Sequence, residues 1–244
     1  QSAAKINKWI KQNSFKNGVP EVSEDLFYAD TRAVLLNICE FEGKWLGAFD
    51  KNGSVEDDFF ISGKDKTTVK LLRQEGSYYY YDNKRVQVLK MEFDANSSLS
   101  MIIILPKQNK ISFAEQFLFK KTVPQIISLL SRQNAVVYVP EFQTASFLDL
   151  ADALYYAGVQ TSDYSKMSDS LLQVSNFLHY SSIQIDYEMK AAPSAVIEID
   201  GDVGKIERDA PPVVFRADHP FIYAIIDESG GEILLMGKML NPSN

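Results

Sequence analysis

The sequence predicts an α+β fold, because segments typical of strands and helices follow one another without the regular alternation of a βαβ protein. The segment from Thr31 to Phe41 has apolar residues on both faces, as expected of a strand inside a covered sheet. Several short strands separated by turn signals indicate an antiparallel meander. The chain has 244 residues, of which 45% are hydrophobic and 23% charged, so it contains enough apolar material for a large core.

The first half of the chain supplies a helix, the long strand and the meander. The helix is predicted from Ala3 to Gln12. A turn is predicted at Gly76, between the first two strands of the meander. The meander strands are predicted at 69–72, 78–81, 86–91 and 100–105. Two short helices follow, one with Ser112 and Glu115 as a capping box and one with Pro124 in its first turn.

The second half alternates a strand, a helix and three more strands. The first strand is predicted from Val136 to Phe142, and the helix from Leu148 to Ala157 ends at Gly158 as a left-handed cap. Gly230 and Gly231 indicate a hairpin between the last two strands. These last three strands are predicted at 183–185, 221–226 and 233–236.

A long connection separates two of these strands. Roughly 30 residues follow Tyr187, whereas connections in compact domains usually have about 4 to 6 residues. The connection begins with small residues and continues through an acidic tract to Arg208 and a Pro-Pro pair. Connections of this length are usually functional, and we interpret it as an exposed loop that faces a protein partner.

Composition and motifs exclude several classes of function. The net charge is -7, with 32 acidic and 25 basic residues, and no basic cluster indicates a nucleic-acid surface. No apolar run approaches the roughly 20 residues of a membrane span. His179 and His219 fit no metal motif, and no G-x-S-x-G elbow is present. Glu40 and Glu42 are conceivable as an acid/base pair, although a salt-bridged or exposed pair explains them as well. We therefore expect no enzyme, cofactor or metal.

Two features bear on processing and location. The triplets beginning at Asn52 and Asn96 are N-glycosylation sequons, which favour an extracellular, secreted glycoprotein. The chain starts without an initiator Met or a signal-peptide layout, so we expect that it begins inside a structure. The single Cys39 excludes an internal disulfide and is expected to be a buried small residue.

Several motifs occur together in the order of one known family. They are N-x-x-x-F-x-G-x-W at Asn37, Phe41, Gly43 and Trp45; L-S-M-x-x-x-L-P at 99–106; Pro140, Phe142, Leu150, Leu154 and Gly158; His179; and His219-Pro220-Phe221 with Gly237 and Asn241-Pro242. The chain resembles the C-terminal two-thirds of a serpin. The resemblance implies one serpin-like domain over 1–244 without its N-terminal third. It also implies a large mixed sheet, antiparallel sheets, surface helices and a reactive-centre loop at about 187–214.

The resemblance also assigns a sheet-opening region. It implies that Asn37 and His179 lie under the point where the main sheet opens, with Trp45 in the same region. Asn37 would be a polar group on an apolar strand face, and a buried amide needs hydrogen-bond partners. His179 is one candidate partner, and separate partners for each residue are the alternative.

The segment that serpins insert into the main sheet departs here from the family pattern. Serpins inhibit when the cleaved loop enters the sheet as a central strand, which requires small uncharged residues and backbone N–H donors. Met189 replaces a usual glycine, Lys190 lies where a Thr or Ser is usual, and Pro193 lacks an N–H donor. An unpaired buried ammonium costs several kcal/mol. The hinge comprises Met189, Lys190, Ala191, Ala192, Pro193, Ser194 and Ala195.

The bond that a protease would cleave has two candidate positions. The family spacing counted from Lys190 gives Val203-Gly204, and the register of the Pro-Pro pair gives Arg208-Asp209. We favour Arg208, because a basic residue suits the acidic pocket of a trypsin-like protease.

Three functions follow from the resemblance. The first is binding of serine proteases with inhibition weakened or lost through Lys190 and Pro193. The second is working suicide-substrate inhibition of a trypsin-like protease, with Arg208 as bait. The third is a non-inhibitory protein that binds another extracellular protein. The absent N-terminal serpin segment is a further expected partner, whereas nucleic acid and membrane are not expected.

Overall fold

The computed structural model describes residues 2–13, 21–27, 31, 33–41, 45–47, 49–93, 97–159, 174–185 and 211–243. They form two compact units. The first comprises Gln1–Phe41 and Ala145–Ile183, and the second comprises Glu42–Thr144 and Gln184–Asn244.

The first unit contains a three-stranded sheet with the order β1-β8-β7. Its core forms where a helix packs on one face of this sheet, around the buried residues Ile10, Val22 and Leu178. The elements are α1 (Ser2–Asn13), a 3₁₀ turn (Glu24–Leu26), β1 (Ala33–Phe41), β7 (Phe142–Asp149), α4 (Ala151–Tyr156) and β8 (Val174–Ile185). β7 and β8 each extend a few residues beyond the unit.

The second unit contains an eight-stranded sheet with the order β11-β10-β5-β4-β3-β6-β9, in which β2 pairs with β3. The chain order confirms the predicted mixture of strands and helices. The elements are β2 (Asp50–Ser62), β3 (Asp65–Asp82), β4 (Val86–Glu92), β5 (Leu99–Pro106), α2 (Ile111–Phe119), α3 (Val123–Ile127), β6 (Ser131–Pro140), β9 (Val213–Arg216), β10 (Phe221–Asp227) and β11 (Glu232–Met239).

One core cluster of the second unit lies where α2 and α3 cover the centre of this sheet. β5 is hydrogen-bonded to β4 on one side and to β10 on the other, which explains why its residues from Met101 to Leu105 are apolar without alternation. The helices contribute Ala114, Phe117, Val123 and Ile126 to this core.

Three sequence predictions about these elements are wrong, and one strand was missed. Gly76 lies inside β3, because the strand continues by pairing with β6 across it. β2 was not predicted at all. The 112–115 capping box is absent, since α2 already begins at Ile111 and its N-cap, Lys110, makes no side-chain cap bond. The helix expected from Leu148 begins only at Ala151, because β7 continues to Asp149.

Two predicted turns are confirmed. Gly158 follows α4 with φ of 79°, and Gly231 has φ of 69° in the turn between β10 and β11. Both values lie in the left-handed region, where a glycine costs least.

Candidate functional site

The central feature of the first unit is the direct pairing of β1 with β8, which we call the seam. The two strands are parallel and form nine Cα pairs, from Ala33↔Val174 to Phe41↔Ile183. The register shifts between the first pair and the second. Because they are immediate neighbours, the seam is closed along this length.

Asn37 and His179 are Cα partners at the middle of the seam. The structure thus brings together two residues that the family resemblance paired. The expected burial of Asn37 is wrong, since its side chain is exposed. The reason is that the described residues leave this face of β1 partly open, and neighbouring Leu35 is 45% exposed.

The two faces of β1 have different environments. Val34, Leu36 and Ile38 pack against the buried core of the first unit. Cys39 lies on the other face and is only partly buried. Burial, followed by the nearby Glu40 carboxylate, raises the pKa of the Cys39 thiol, so the neutral form is favoured.

Asp149 stabilises β8 on the side that faces away from β1. Sequence reasoning did not predict this role. Asp149 Oδ1 accepts hydrogen bonds from the backbone N–H groups of Phe177, at 3.1 Å, and Ala151, at 3.0 Å. Its Oδ2 accepts one from Asn176 Nδ2 at 2.8 Å. Burial raises the pKa of Asp149, but these hydrogen bonds outweigh it and lower the pKa. An aspartate two residues before a helix was the signal available in the sequence.

The chain that follows the long connection is anchored in the second unit. β9 pairs in parallel with β6, from Ala135↔Val213 to Tyr138↔Arg216. Arg216 forms an ion pair with Asp57, and its Cζ lies 4.8 Å from the centroid of the Tyr138 ring. This end of the connection is therefore held by both a ladder and a cation–π contact.

His219 connects two of the motifs that carry the family resemblance. Its Nδ1 lies 2.8 Å from Asp218 Oδ1, and its Nε2 lies 2.6 Å from the carbonyl oxygen of Pro106. The motif at the end of β5 and the motif before β10 therefore meet at this side chain.

Trp45, the third residue of the predicted sheet-opening region, belongs to the second unit. It forms an isolated bridge with Phe93, and the two rings stack with centroids 4.6 Å apart. Phe49 packs edge-on at 6.0 Å. Trp45 is 1% exposed and forms part of the core.

Several predicted site residues lie outside the described residues. They are the hinge 189–195, the candidate bond Arg208-Asp209, the acidic Glu42 and the sequon residue Asn96. The other sequon residue, Asn52, is exposed on β2, where its backbone N–H donates to Asp50 Oδ1 at 2.9 Å.

The described parts of the chain contain neither a metal-binding cluster nor a membrane-spanning helix. No group of three or more His, Cys, Asp or Glu side chains there is placed to hold a metal ion. No helix in those parts is long and apolar enough to cross a membrane.

Comparisons with known proteins give a consistent result. The family model described as Serpin (serine protease inhibitor) matches residues 1–242. A serpin-like protein of Methanosarcina acetivorans is 29% identical over 97% of this chain and 57% of its own length. Iripin-2 of Ixodes ricinus is 27% identical over 96% of this chain and 60% of its own length. The solved serpin of Schistosoma haematobium has a TM-score of 0.79 at 24% identity, covering 98% of this chain and 62% of that one. The chain thus spans about three-fifths of the length of these relatives.

Proposed function

Because this chain belongs to the serpin family, we propose that it binds serine proteases through an exposed loop at about 187–214, with inhibition weakened or lost. The observation that carries the proposal is the closed seam between β1 and β8. A serpin loop inhibits by becoming a strand between two such neighbours, so the chemistry of the hinge decides whether insertion occurs.

The residues of this hinge are poorly suited to forming a new strand at the seam. The new strand must separate the nine partners of β1 and β8 and form ladder hydrogen bonds to both. Pro193 offers no N–H for such a bond. Lys190 and Pro193 are three residues apart, so in a strand they point to opposite faces.

The cost of Lys190 depends on which face of the seam it meets. One face is packed by Val34, Leu36 and Ile38, and burial of an unpaired ammonium there costs several kcal/mol. The other face includes exposed Leu35 and Asn37, where the ammonium would reach water at little cost as long as no further segment covers that face. Pro193 disfavours insertion in either orientation.

Incubation with trypsin, followed by denaturing electrophoresis and mass spectrometry, tests the proposal. We expect cleavage after Arg208 and no covalent complex. Binding is measured separately with trypsin whose nucleophilic serine is replaced, and the Arg208→Ala variant is the control that should not bind. A complex that survives denaturation would establish suicide inhibition with Arg208 as bait. Absence of both cleavage and binding would instead favour a non-inhibitory protein with another extracellular partner.

Restoring family-like hinge residues gives a second test. The double variant Lys190→Thr, Pro193→Ala removes the cation and restores one backbone donor. We expect it to form more denaturation-stable complex with trypsin than the wild type does. A yield equal to that of the wild type would show that these two residues are not what limits insertion.

We also propose that the open face of the seam receives the N-terminal serpin segment. Leu35 is 45% exposed there, and about two-fifths of the length of the matched Methanosarcina acetivorans relative lies outside its match to this chain. Mass spectrometry of the purified protein under denaturing conditions should reveal an additional segment. A single species of 27.5 kDa would contradict this.

An extracellular, glycosylated state is part of the same proposal, with Asn52 as the described acceptor. It is supported by the exposure of Asn52 on β2. Expression through a eukaryotic secretory pathway should add a glycan that is lost in Asn52→Gln. An unchanged mass in that variant would count against modification at this position.

A further inference from the structure

A bulge in β2 contains an asparagine that is followed directly by a glycine. The pairing of β2 with β3 skips from Asp50 to Val55, so residues 51–54 stand opposite a single residue of β3. In the described pairing none of these four residues has a Cα partner in β3. Asn52 and Gly53 therefore lie outside the regular ladder, although they belong to a strand.

The backbone of the bulge is held, whereas the side chain of Asn52 is not. The backbone N–H of Asn52 donates to Asp50 Oδ1 at 2.9 Å, and the Ser54 hydroxyl donates to the backbone carbonyl of Asp50 at 2.8 Å. The side chain of Asn52 is exposed, and its amide makes no hydrogen bond to the described residues. This amide is therefore free to rotate towards the backbone of the bulge.

Gly53 leaves the nitrogen that follows Asn52 open to reaction. An asparagine deamidates when the backbone nitrogen of the next residue attacks its side-chain carbonyl carbon, and a side chain on that next residue obstructs the attack. Gly53 has none. A Cβ here would lie 2.6 Å from Asp50 Oδ2 and 2.9 Å from Arg73 Cδ, so the surroundings also favour a glycine. The bulge thus keeps a glycine at the position where the reaction needs one.

We propose that Asn52 deamidates spontaneously in the folded protein. The backbone nitrogen of Gly53 forms a bond to Cγ of Asn52, the bond between Cγ and Nδ2 breaks, and ammonia leaves with the proton of the Gly53 nitrogen. Water then opens the resulting succinimide ring at either of its carbonyl groups. The products are aspartate and isoaspartate, and water is the one co-reactant.

The reaction changes both the charge and the main chain of the bulge. A neutral amide becomes a carboxylate, so the net charge becomes one unit more negative than -7. The new carboxylate lies two residues from that of Asp50. The nearby cation, Arg73, is 3.9 Å from Asp50 and already pairs with Glu75 at 2.6 Å. Isoaspartate also adds one carbon to the main chain. Both changes should weaken the pairing of β2 with β3 at this point.

N-glycosylation and deamidation compete for the same side chain. The glycan that we propose for Asn52 is attached through Nδ2, the atom that deamidation releases as ammonia. A glycosylated Asn52 is therefore protected, whereas the bare protein is converted with time. This competition rests on the proposed glycosylation, but deamidation of the bare chain does not.

Peptide mapping by mass spectrometry measures the reaction. The protein is produced in bacteria without a glycan and incubated at body temperature and mildly alkaline pH. The peptide that contains Asn52 should gain about 1 Da and separate into an aspartate and an isoaspartate form. Asn83 and Asn109 are each followed by a lysine, so their peptides are matched controls that should stay unchanged. The other Asn-Gly pair of the sequence, at 17–18, falls in a different tryptic peptide.

Two variants and one change of condition assign the reaction to the bulge. Gly53→Ala should slow the conversion by about tenfold or more, because a methyl group obstructs the attacking nitrogen. Since this variant also displaces Asp50 or Arg73 side-chain atoms, Asn52→Gln serves as a second variant and should show no conversion. Wild-type protein unfolded in urea gives the rate without the bulge. The folded protein should react no more than about tenfold more slowly than this.

Two results would overturn the proposal. The first is an unchanged Asn52 peptide in the folded protein while the urea-unfolded chain is converted, because the fold would then protect the amide. The second is an equal rate in wild type and Gly53→Ala. Expression through a secretory pathway separates the two modifications. A glycosylated protein that stays unconverted supports the competition, whereas a bare secreted protein that is converted supports deamidation and contradicts glycosylation at Asn52.

Discussion

Replacement of Lys90 by Met is expected to destabilise the second unit strongly. The ammonium of Lys90 is in a side chain that is only 5% exposed, and its Nζ lies 2.8 and 2.9 Å from the two carboxylate oxygens of Glu228. Glu92 lies 3.5 Å away, and the centroid of the Tyr79 ring lies 4.3 Å away. Ser100, which is fully buried, donates to the same Glu228 carboxylate at 2.8 Å.

The expected loss in the free energy of unfolding depends on the Glu228 charge that the substitution leaves without its partner. Breaking a fully buried ion pair costs about 3 to 5 kcal/mol, because the remaining charge is uncompensated. Glu228 is 32% exposed, so water partly hydrates it after the substitution. We therefore expect Lys90→Met to lower the free energy of unfolding by about 2 to 3 kcal/mol. The double variant Lys90→Met, Glu228→Gln should recover part of this loss, since it removes the orphaned charge.

Urea unfolding followed by circular dichroism measures this effect as a lower midpoint at an unchanged slope. Lys66→Met is the matched control, because Lys66 is 54% exposed and its pair with Asp58 should contribute less than about 1 kcal/mol. If Lys90→Met costs no more than Lys66→Met, or if the double variant is less stable than the single one, the reasoning is refuted.

Two further predictions concern Asp149 and Gly237. Asp149→Ala should lower the free energy of unfolding by about 1 to 2 kcal/mol at neutral pH, with Asp152→Ala as an exposed control. Because the folded pKa of Asp149 is lowered, this difference should be complete above the unfolded pKa of about 3.9 and shrink as pH falls through the folded pKa. A difference that grows on acidification would contradict the assignment. Gly237→Ala should cost about 1 to 3 kcal/mol in urea unfolding, since its Cβ would overlap the buried Tyr223 ring. An unchanged urea midpoint would show that the ring moves freely.

Apolar periodicity was sufficient to predict β1, β4, β5 and β10. β5 and β10 each contain an uninterrupted apolar run, at 101–105 and 221–226, because each has a strand on both sides and is buried. β2 escaped prediction since Glu56, Asp57 and Asp58 interrupt any apolar alternation. β2 forms because it pairs with β3, and ion pairs between the two strands, such as that of Asp58 with Lys66, stabilise it.

Sequence reasoning found part of the candidate site and missed the rest. The register of Asn37 with His179 was expected only through the family resemblance, because residues on distant strands leave no periodic signal. The burial of Asn37 was predicted wrongly, since local alternation does not tell which elements cover a face. The cleft lined by Trp45, Gln74, Met91 and Arg132 was not predictable, because its walls come from four segments that only the tertiary fold brings together.

The most direct test of the central claim is the thermal stability of the protein before and after cleavage of the loop at Arg208. We expect little change in the unfolding temperature, because Lys190 and Pro193 keep the cleaved segment from entering the seam between β1 and β8. A large increase, reproduced in urea, would mean that the segment has become a strand of the sheet and would contradict the account.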